Sequence, residues 1–324
     1  MSDPASLAIV IPVWNLPDEL GQLLDQIVRM GIFSQIVVVD DASDPACNPA
    51  QLGFTEEHLG GRLVYLRLPV QRGAGHARNA GLAAVTAENV LFFDADDVLA
   101  SALPDIFHQH LAAGSPDFTI FRHSDSRVRT REGSFDAEEV RWSRVLRDRP
   151  SALLNLPEAA ELCGISSYPW NKIYRTDFLR EAGIRCSETL VHNDILLHWL
   201  SFFRAKRIQA DARIGATHVV EEHRHHLSTR RGRDRLCLRE IFAELIGTLQ
   251  AAPQRRIYMR QLIQFTDDIC RWNLEQIDAD VVPDFTQMML ETYARFGPED
   301  FQLFSAWQPR QAEALVTFML DEGV

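Results

Sequence analysis

Cysteine is scarce and scattered in this sequence. Cys47, Cys163, Cys186, Cys237 and Cys270 are odd in number, and none stands in close C-x-x-C spacing with another. That usage argues against a disulfide framework or a paired-cysteine zinc site and fits reduced thiols. No stretch approaches the ~20 apolar residues that a bilayer-spanning helix needs. The first residues also lack the basic flank and long apolar core of a signal peptide. A cytoplasmic setting is the expectation from these absences, and peripheral contact with a membrane is compatible with them. Positive charge is short as well: 33 Lys and Arg stand against 45 Asp and Glu, a net charge of -12. A nucleic-acid binder needs a concentrated basic surface, so that class is disfavoured. Any anionic ligand must be met by a metal or a local basic patch.

What is present is enough apolar content, 46% of 324 residues, for one large domain or a domain with an appendage. Leu7-Ala8-Ile9-Val10-Ile11 reads as a buried strand, stopped by Pro12 and followed by Trp14 and Asn15. Leu20, Leu23, Leu24, Ile27 and Val28 then form a helical stripe, with Asp18 as the expected N-cap and Gly31 as the stop. A second apolar run, Ile36-Val37-Val38-Val39, ends in Asp40 and Asp41; a third, Leu63-Val64-Tyr65-Leu66, precedes a glycine-bearing loop that opens a helix near Gly73. The fourth, Val90-Leu91-Phe92-Phe93, ends in Asp94, Asp96 and Asp97, and another helical stripe follows behind Ser101. This βαβ order predicts right-handed parallel units. Ligands bind such open sheets at the carboxyl ends of the strands, so three polar strand ends predict one shared cleft.

Three carboxylates within four residues repel one another unless a cation or hydrogen-bond donors compensate. Oxygen-only ligands at that density suit Mg²⁺ or Mn²⁺. On the residues alone, a solvated acidic turn in which Asp97 caps the next helix stands beside the metal reading. The arginine-rich stretch 122–149 predicts a mobile loop or solvated helix in preference to a phosphate patch. Asp177 is the expected N-cap of a short helix closed by Gly183, and Asp194 falls in the first turn of a helix carrying Leu196, Trp199, Leu200 and Phe203. From about Gly232 the chain is helical in pattern, which suggests a division into residues 1–230 and a C-terminal region, 231–324. That region would serve packing, self-association or acceptor placement.

The ordered motifs resemble those of the family 2 glycosyltransferases. They are Pro12-Val13-Trp14-Asn15, Val39-Asp40-Asp41-Ala42-Ser43, the loop from Gly73 through Ala77-Arg78-Asn79 to Gly81, Asp94-Ala95-Asp96-Asp97, Trp170-Asn171-Lys172-Ile173-Tyr174-Arg175, and His192-Asn193-Asp194. The resemblance implies an α/β GT-A fold, a Rossmann-like, mostly parallel sheet flanked by helices, with a helical C-terminal appendage. It implies an inverting, non-processive transferase that moves a sugar from a nucleoside-diphosphate sugar, by default a UDP-sugar, to a hydroxyl of a carbohydrate or lipid-linked glycan. Surface glycan or glycoconjugate synthesis is the implied setting. Pro12, Trp14, Asn15, Asp40, Asp41 and Ala95 are then donor-site candidates, and Arg72 or Arg78 would reach the diphosphate. Asp94 and Asp96 would hold Mn²⁺ or Mg²⁺, and Asp194 would be the catalytic base. His223, Arg224 and His225 fall where related enzymes carry a basic segment near the diphosphate. Two departures stand out: Trp14 replaces the more usual Tyr, and Asn193 stands where Glu is typical.

Two rival readings follow from particular residues. Gly73-Ala74-Gly75 after a strand resembles a dinucleotide fingerprint, which would make the chain an NAD-type oxidoreductase, but Arg78 stands where the third glycine belongs. Asn193 admits a sugar-nucleotide-binding protein without turnover.

Overall fold

All seven residues of β1 (Leu7–Val13) are buried, as a strand covered on both faces of a parallel sheet requires. The computed structural model describes residues 6–55, 57–128, 136–220 and 230–322. After β1 come α1 (Pro17–Met30), β2 (Gln35–Asp40), β3 (Leu63–Arg67), α2 (Ala74–Ala84) and β4 (Asn89–Phe92). β1 pairs in parallel with β2 and β4, and β2 with β3. The chain continues through β5 (Val98–Leu99), α3 (Leu103–Ala112), β6 (Phe118–Asp125), α4 (Asp136–Leu146), β7 (Ser151–Leu153) and α5 (Leu156–Cys163). Next are β8 (Lys172–Arg175), α6 (Thr176–Glu181), α7 (Ile195–Arg204) and β9 (Ile208–His218). The sheet order is β3-β2-β1-β4-β8-β6-β9-β5, with β7 paired to β9.

The parallel part thus occupies one half of the sheet. β8 enters antiparallel between β4 and β6, and β9 returns parallel to β6. Alternate residues sort the core into two layers, as the pleat demands. Leu7, Ile9 and Ile11 join α1 and α3 on one face, whereas Ala8, Val10, Val37 and Phe92 join the larger cluster on the other. That larger cluster runs without interruption into α8 (Leu238–Gln250), α9 (Met259–Leu274), α10 (Val282–Tyr293), α11 (Pro298–Trp307) and α12 (Pro309–Glu322) through Leu245, Leu262, Met288 and Leu315.

Some local expectations give way to tertiary structure. Pro17 takes the first helical position of α1, so Asp18 lies in its first turn and not at the cap, while Gly31 ends the helix at φ 68°. Asp177 likewise sits inside the first turn of α6, whose cap position is Arg175. The described part of 122–149 completes β6 and forms α4, where Trp142, Val145 and Leu146 are buried. Several of its arginines are paired: Arg122 with Glu139, and Arg141 and Arg144 with Glu161. Among the described residues no helix is long and apolar enough to cross a membrane.

Candidate active site

The ends of β1, β2 and β4 open onto a cavity of about 540 Å³ lined by Pro12, Trp14, Asn15, Asp41, Ala95 and Asp96, together with Ala74, Arg78 and Asp94. Asn15, at φ 55°, ties the first two strand ends together: its N–H donates to Ser43 Oγ at 2.9 Å, and its Oδ1 accepts from Asp44 N at 2.8 Å. Asparagine tolerates this left-handed backbone, whereas Ala42, next to Asp41 at φ 62°, does so at a steric cost of about 1–2 kcal/mol.

The two neighbouring acids have separate environments. Asp40, the last residue of β2, is fully buried and does not line the cavity. Its carboxylate accepts from Ser43 N, Cys47 N and Tyr65 Oη, so it fixes the loop that follows. Burial, with Asp40 as acceptor, pushes the Tyr65 hydroxyl up to about 12 and keeps it a donor. Asp41 lines the cavity and accepts from the backbone N–H groups of Arg72 at 2.8 Å and Gly73 at 2.7 Å. Its carboxylate therefore holds the glycine loop against the end of β2.

That loop is a packing device. A Cβ on Gly75 would lie 2.0 Å from the Ser187 carbonyl oxygen and 2.8 Å from Asn193 Cβ. The space a pyrophosphate would need above a dinucleotide fingerprint is filled by the chain from 187 to 193, which counts against the oxidoreductase reading. The close approach delivers Asn193 to Arg78. The Arg78 guanidinium donates to Asn193 Oδ1 at 2.6 Å and to Asp94 Oδ1. Burial opposes its charge, but Asp94, Cys186 and Asp194 outweigh that effect and hold its pKa above the ordinary arginine value. Arg72 points elsewhere and pairs with Glu188 at 2.8 Å outside the cavity lining.

A second cavity, about 650 Å³, lies across the Arg78–Asp94 pair and shares Ala74, Arg78 and Asp94 with the first. Asp194 lines it from the cap position of α7, yet its side chain makes no cap hydrogen bond. Burial pushes its carboxyl above the usual carboxylate range, and Asp94 adds to the shift, against the opposing pull of Arg78 and Lys172. Lys172 is fully buried below, donating to the Tyr168 carbonyl at 2.8 Å and Asn171 Oδ1 at 2.6 Å. Burial pushes this lysine down to about 7. Tyr168 stacks on Trp170 with centroids 4.5 Å apart, and the His218 ring lies 5.0 Å from Tyr168.

Asp97 caps no helix. It accepts from Val219 N at 2.9 Å and pairs with His218 Nδ1 at 2.8 Å, joining the acidic turn to the end of β9. The sequence reasoning did not find Tyr168, His218, Phe265, Ile269 or Trp272, all of which line the second cavity. For the last three the only signal is the apolar stripe of α9, which reads as ordinary packing. His223, Arg224 and His225 lie outside the described residues.

Asp94 and Asp96 both face the first cavity. Mg²⁺ and Mn²⁺ usually take one or two protein carboxylates and complete their shell with water and phosphate oxygens, so this donor set fits a hard divalent ion shared with a phosphate-bearing ligand. Among the described residues there is no group of three or more His, Cys, Asp and Glu side chains arranged to hold a metal by themselves.

Residues 8–168 match the model of glycosyl transferase family 2. A dolichyl-phosphate beta-glucosyltransferase of Drosophila melanogaster is 27% identical over 113 residues, 32% of this chain and 34% of that protein. Matches to the curated relatives span between 24% and 58% of those proteins' own lengths. In fold, the chain is similar to S. aureus TarS 1-349 in complex with UDP-GlcNAc, with a TM-score of 0.76, 17% identity and coverage of 98% of this chain and 89% of that one. The mannosyltransferase PcManGT from Pyrobaculum calidifontis, in complex with GDP-Man and Mn2+, aligns with a TM-score of 0.55 and 15% identity over 99% and 87% of the two chains. With the GT-A sheet and its ordered strand-end motifs, the family match means that this chain belongs to the family 2 glycosyltransferases.

Proposed function

We propose that the protein transfers a glycosyl group, with inversion, from a nucleoside-diphosphate sugar to a hydroxyl acceptor, using Asp194 as base and a divalent metal at Asp96 and Asp94. One observation carries this reading. Two cavities meet at the Arg78–Asp94 pair, with acids suited to the leaving group on one side and a single carboxyl of raised pKa on the other. A direct displacement needs those two groups on opposite sides of the reacting carbon.

Trp14 offers an aromatic face to the nucleobase, beside Pro12 and Asp41, and Ala95 lets the donor approach the acidic turn. Arg78, fixed between Asp94 and Asn193, keeps its charge and stabilises negative charge on the diphosphate. A bound Mg²⁺ or Mn²⁺ would neutralise the departing diphosphate as its bond to the sugar breaks. Asp194 takes the proton of the attacking hydroxyl, and its raised pKa brings its basicity closer to the task at neutral pH. Asn193 accepts from Arg78 as a neutral amide, so its substitution for an acid leaves the arginine anchored. That favours turnover over the reading of a binding protein without catalysis. UDP is the default nucleotide, supported by the fold's likeness to a UDP-GlcNAc-bound relative, and glycan or glycoconjugate assembly is the proposed setting.

The test is a panel of UDP- and GDP-sugars incubated with the purified protein, with and without Mn²⁺, reading release of nucleoside diphosphate. Metal-dependent release from one donor class, lost in Asp194→Asn, is expected. Absence of release together with absence of nucleotide-induced thermal stabilisation would overturn the proposal.

A further inference from the structure

The cavity that holds Asp194 has features that the transfer reaction alone does not require. Its apolar lining comes from two distant parts of the chain: the Tyr168–Trp170 stack, and Phe265, Ile269 and Trp272 of α9. Trp272 is 43% exposed, although most of the chain's large aromatic side chains are buried. It is also held in place. The Arg235 guanidinium lies 4.9 Å over its ring, and the His192 ring meets it edge-on at 6.3 Å. Next to it, Asn273 Oδ1 accepts from Arg235 Nη1 and from His192 Nε2 at 2.9 Å. An exposed tryptophan fixed by its neighbours is a preformed binding surface.

Two polar atoms of residues lining the same cavity, Trp170 Nε1 and Ser167 Oγ, are buried and have no hydrogen-bond partner among the described residues. A buried donor of this kind is costly to the fold until a partner arrives. The cations around the cavity, by contrast, are already paired: Arg78 with Asp94, Arg127 with Asp125, and His218 with Asp97. Arg78 is assigned to the donor's diphosphate, Arg127 and His218 are held by Asp125 and Asp97, and the unpartnered indole N–H and hydroxyl suit the hydroxyl groups of a ligand.

We propose that this cavity is an acceptor subsite for a neutral glycosyl residue, in which the aromatic side chains of Tyr168 and Trp272 meet the apolar faces of the sugar and Trp170 Nε1 and Ser167 Oγ bond its hydroxyls. The inference rests on the transferase reading and deepens it. Trp272 is then a specificity residue supplied by the C-terminal helices, which makes them part of the acceptor site.

The test uses the full chain with the donor it hydrolyses. The acceptors are the p-nitrophenyl β-glycosides of glucose, galactose and N-acetylglucosamine, with benzyl alcohol and glycerol 3-phosphate as non-sugar comparisons. Donor hydrolysis without acceptor is measured alongside. Trp272→Ala is expected to raise the KM of the best glycoside at least tenfold, and Trp272→Phe to recover most of the loss. Saturation-transfer NMR with the same glycosides reads binding independently of turnover, with signals expected for wild type and lost in Trp272→Ala. An unchanged KM and unchanged NMR signals in Trp272→Ala, or equal use of benzyl alcohol or glycerol 3-phosphate, would overturn the inference. Absence of nucleoside-diphosphate release by the wild type with and without acceptors, together with absence of nucleotide-induced thermal stabilisation, would overturn the transferase reading itself.

Discussion

The two cavities that meet at Arg78 and Asp94 are built by different means. The first is made at the ends of β1, β2 and β4, where Trp14, Asp41 and Asp96 each follow within a few residues of a buried strand. The second collects Arg127 after β6, Tyr168 before β8, Asp194 ahead of α7, His218 at the end of β9 and Trp272 on α9. A parallel sheet brings its strand ends to one edge by construction, so the first cavity follows from topology. The second depends on long-range packing and can vary without disturbing the first. On the proposed assignment of the two cavities, donor chemistry can stay fixed on this scaffold while acceptor chemistry changes.

The largest effect that would sharpen this contrast is at Asp194. Asp194→Asn is expected to lower kcat by roughly 10²–10⁴, the usual worth of a general base. Because burial raises its pKa, the acid limb of the wild-type rate profile should lie above the ordinary carboxylate value of about 3.9. A limb at or below that value would separate Asp194 from the rate.

Gly75→Ala comes next and attacks the junction between the cavities. Its Cβ cannot coexist with the Ser187 carbonyl at 2.0 Å, so the Asn193–Asp194 segment must shift. A loss of about 1–3 kcal/mol in stability is expected, the usual cost of overpacking, with a fall in kcat larger than the fall in nucleotide affinity. Gly81→Ala provides the contrast. Its Cβ would meet Val10 and Val39 in the core, so stability should fall while the ratio of kcat to nucleotide affinity holds. Equal changes in that ratio for both variants would break the comparison.

A smaller effect concerns stability. A carboxyl whose folded pKa is raised stabilises the fold only while protonated, and that contribution is lost as pH rises through the folded pKa. Ionised Asp194 therefore weakens the fold at neutral pH. Asp194→Asn should unfold at a higher temperature than wild type at pH 7. The difference should shrink near pH 4, and calorimetry at both pH values checks it. The smallest expected effect is a severalfold loss of kcat in Asn273→Ala, which removes the His192 anchor at 2.9 Å and tests whether α9 steadies the segment before Asp194.

The contrast also explains what was legible in the sequence. Strand-end acids were visible because apolar runs stop abruptly at Asp40, Asp41 and Asp94. Their division of labour was not, because one step along a strand reverses the direction of the side chain. Asp40 thus turns to Tyr65 and the following loop, and Asp41 to the cavity. Arg72 and Arg78 were equal candidates by composition, and only the fold pairs one with Glu188 and the other with Asp94. Trp272 was hidden in a helical stripe because periodicity marks an apolar face without saying whether protein or ligand covers it. Asp194 was reached through a motif, but its raised pKa comes from burial and from the nearby Asp94, against the pull of Arg78 and Lys172, all contributed by other elements.

The central claim is that leaving-group chemistry and proton transfer reside in separate cavities. Its most direct test is calorimetric titration of nucleoside diphosphate with Mn²⁺ into wild type, Asp96→Ala and Asp194→Asn. The account expects affinity to fall at least tenfold in Asp96→Ala and to stay within twofold in Asp194→Asn. Equal losses in both variants, or no loss in Asp96→Ala, would contradict it.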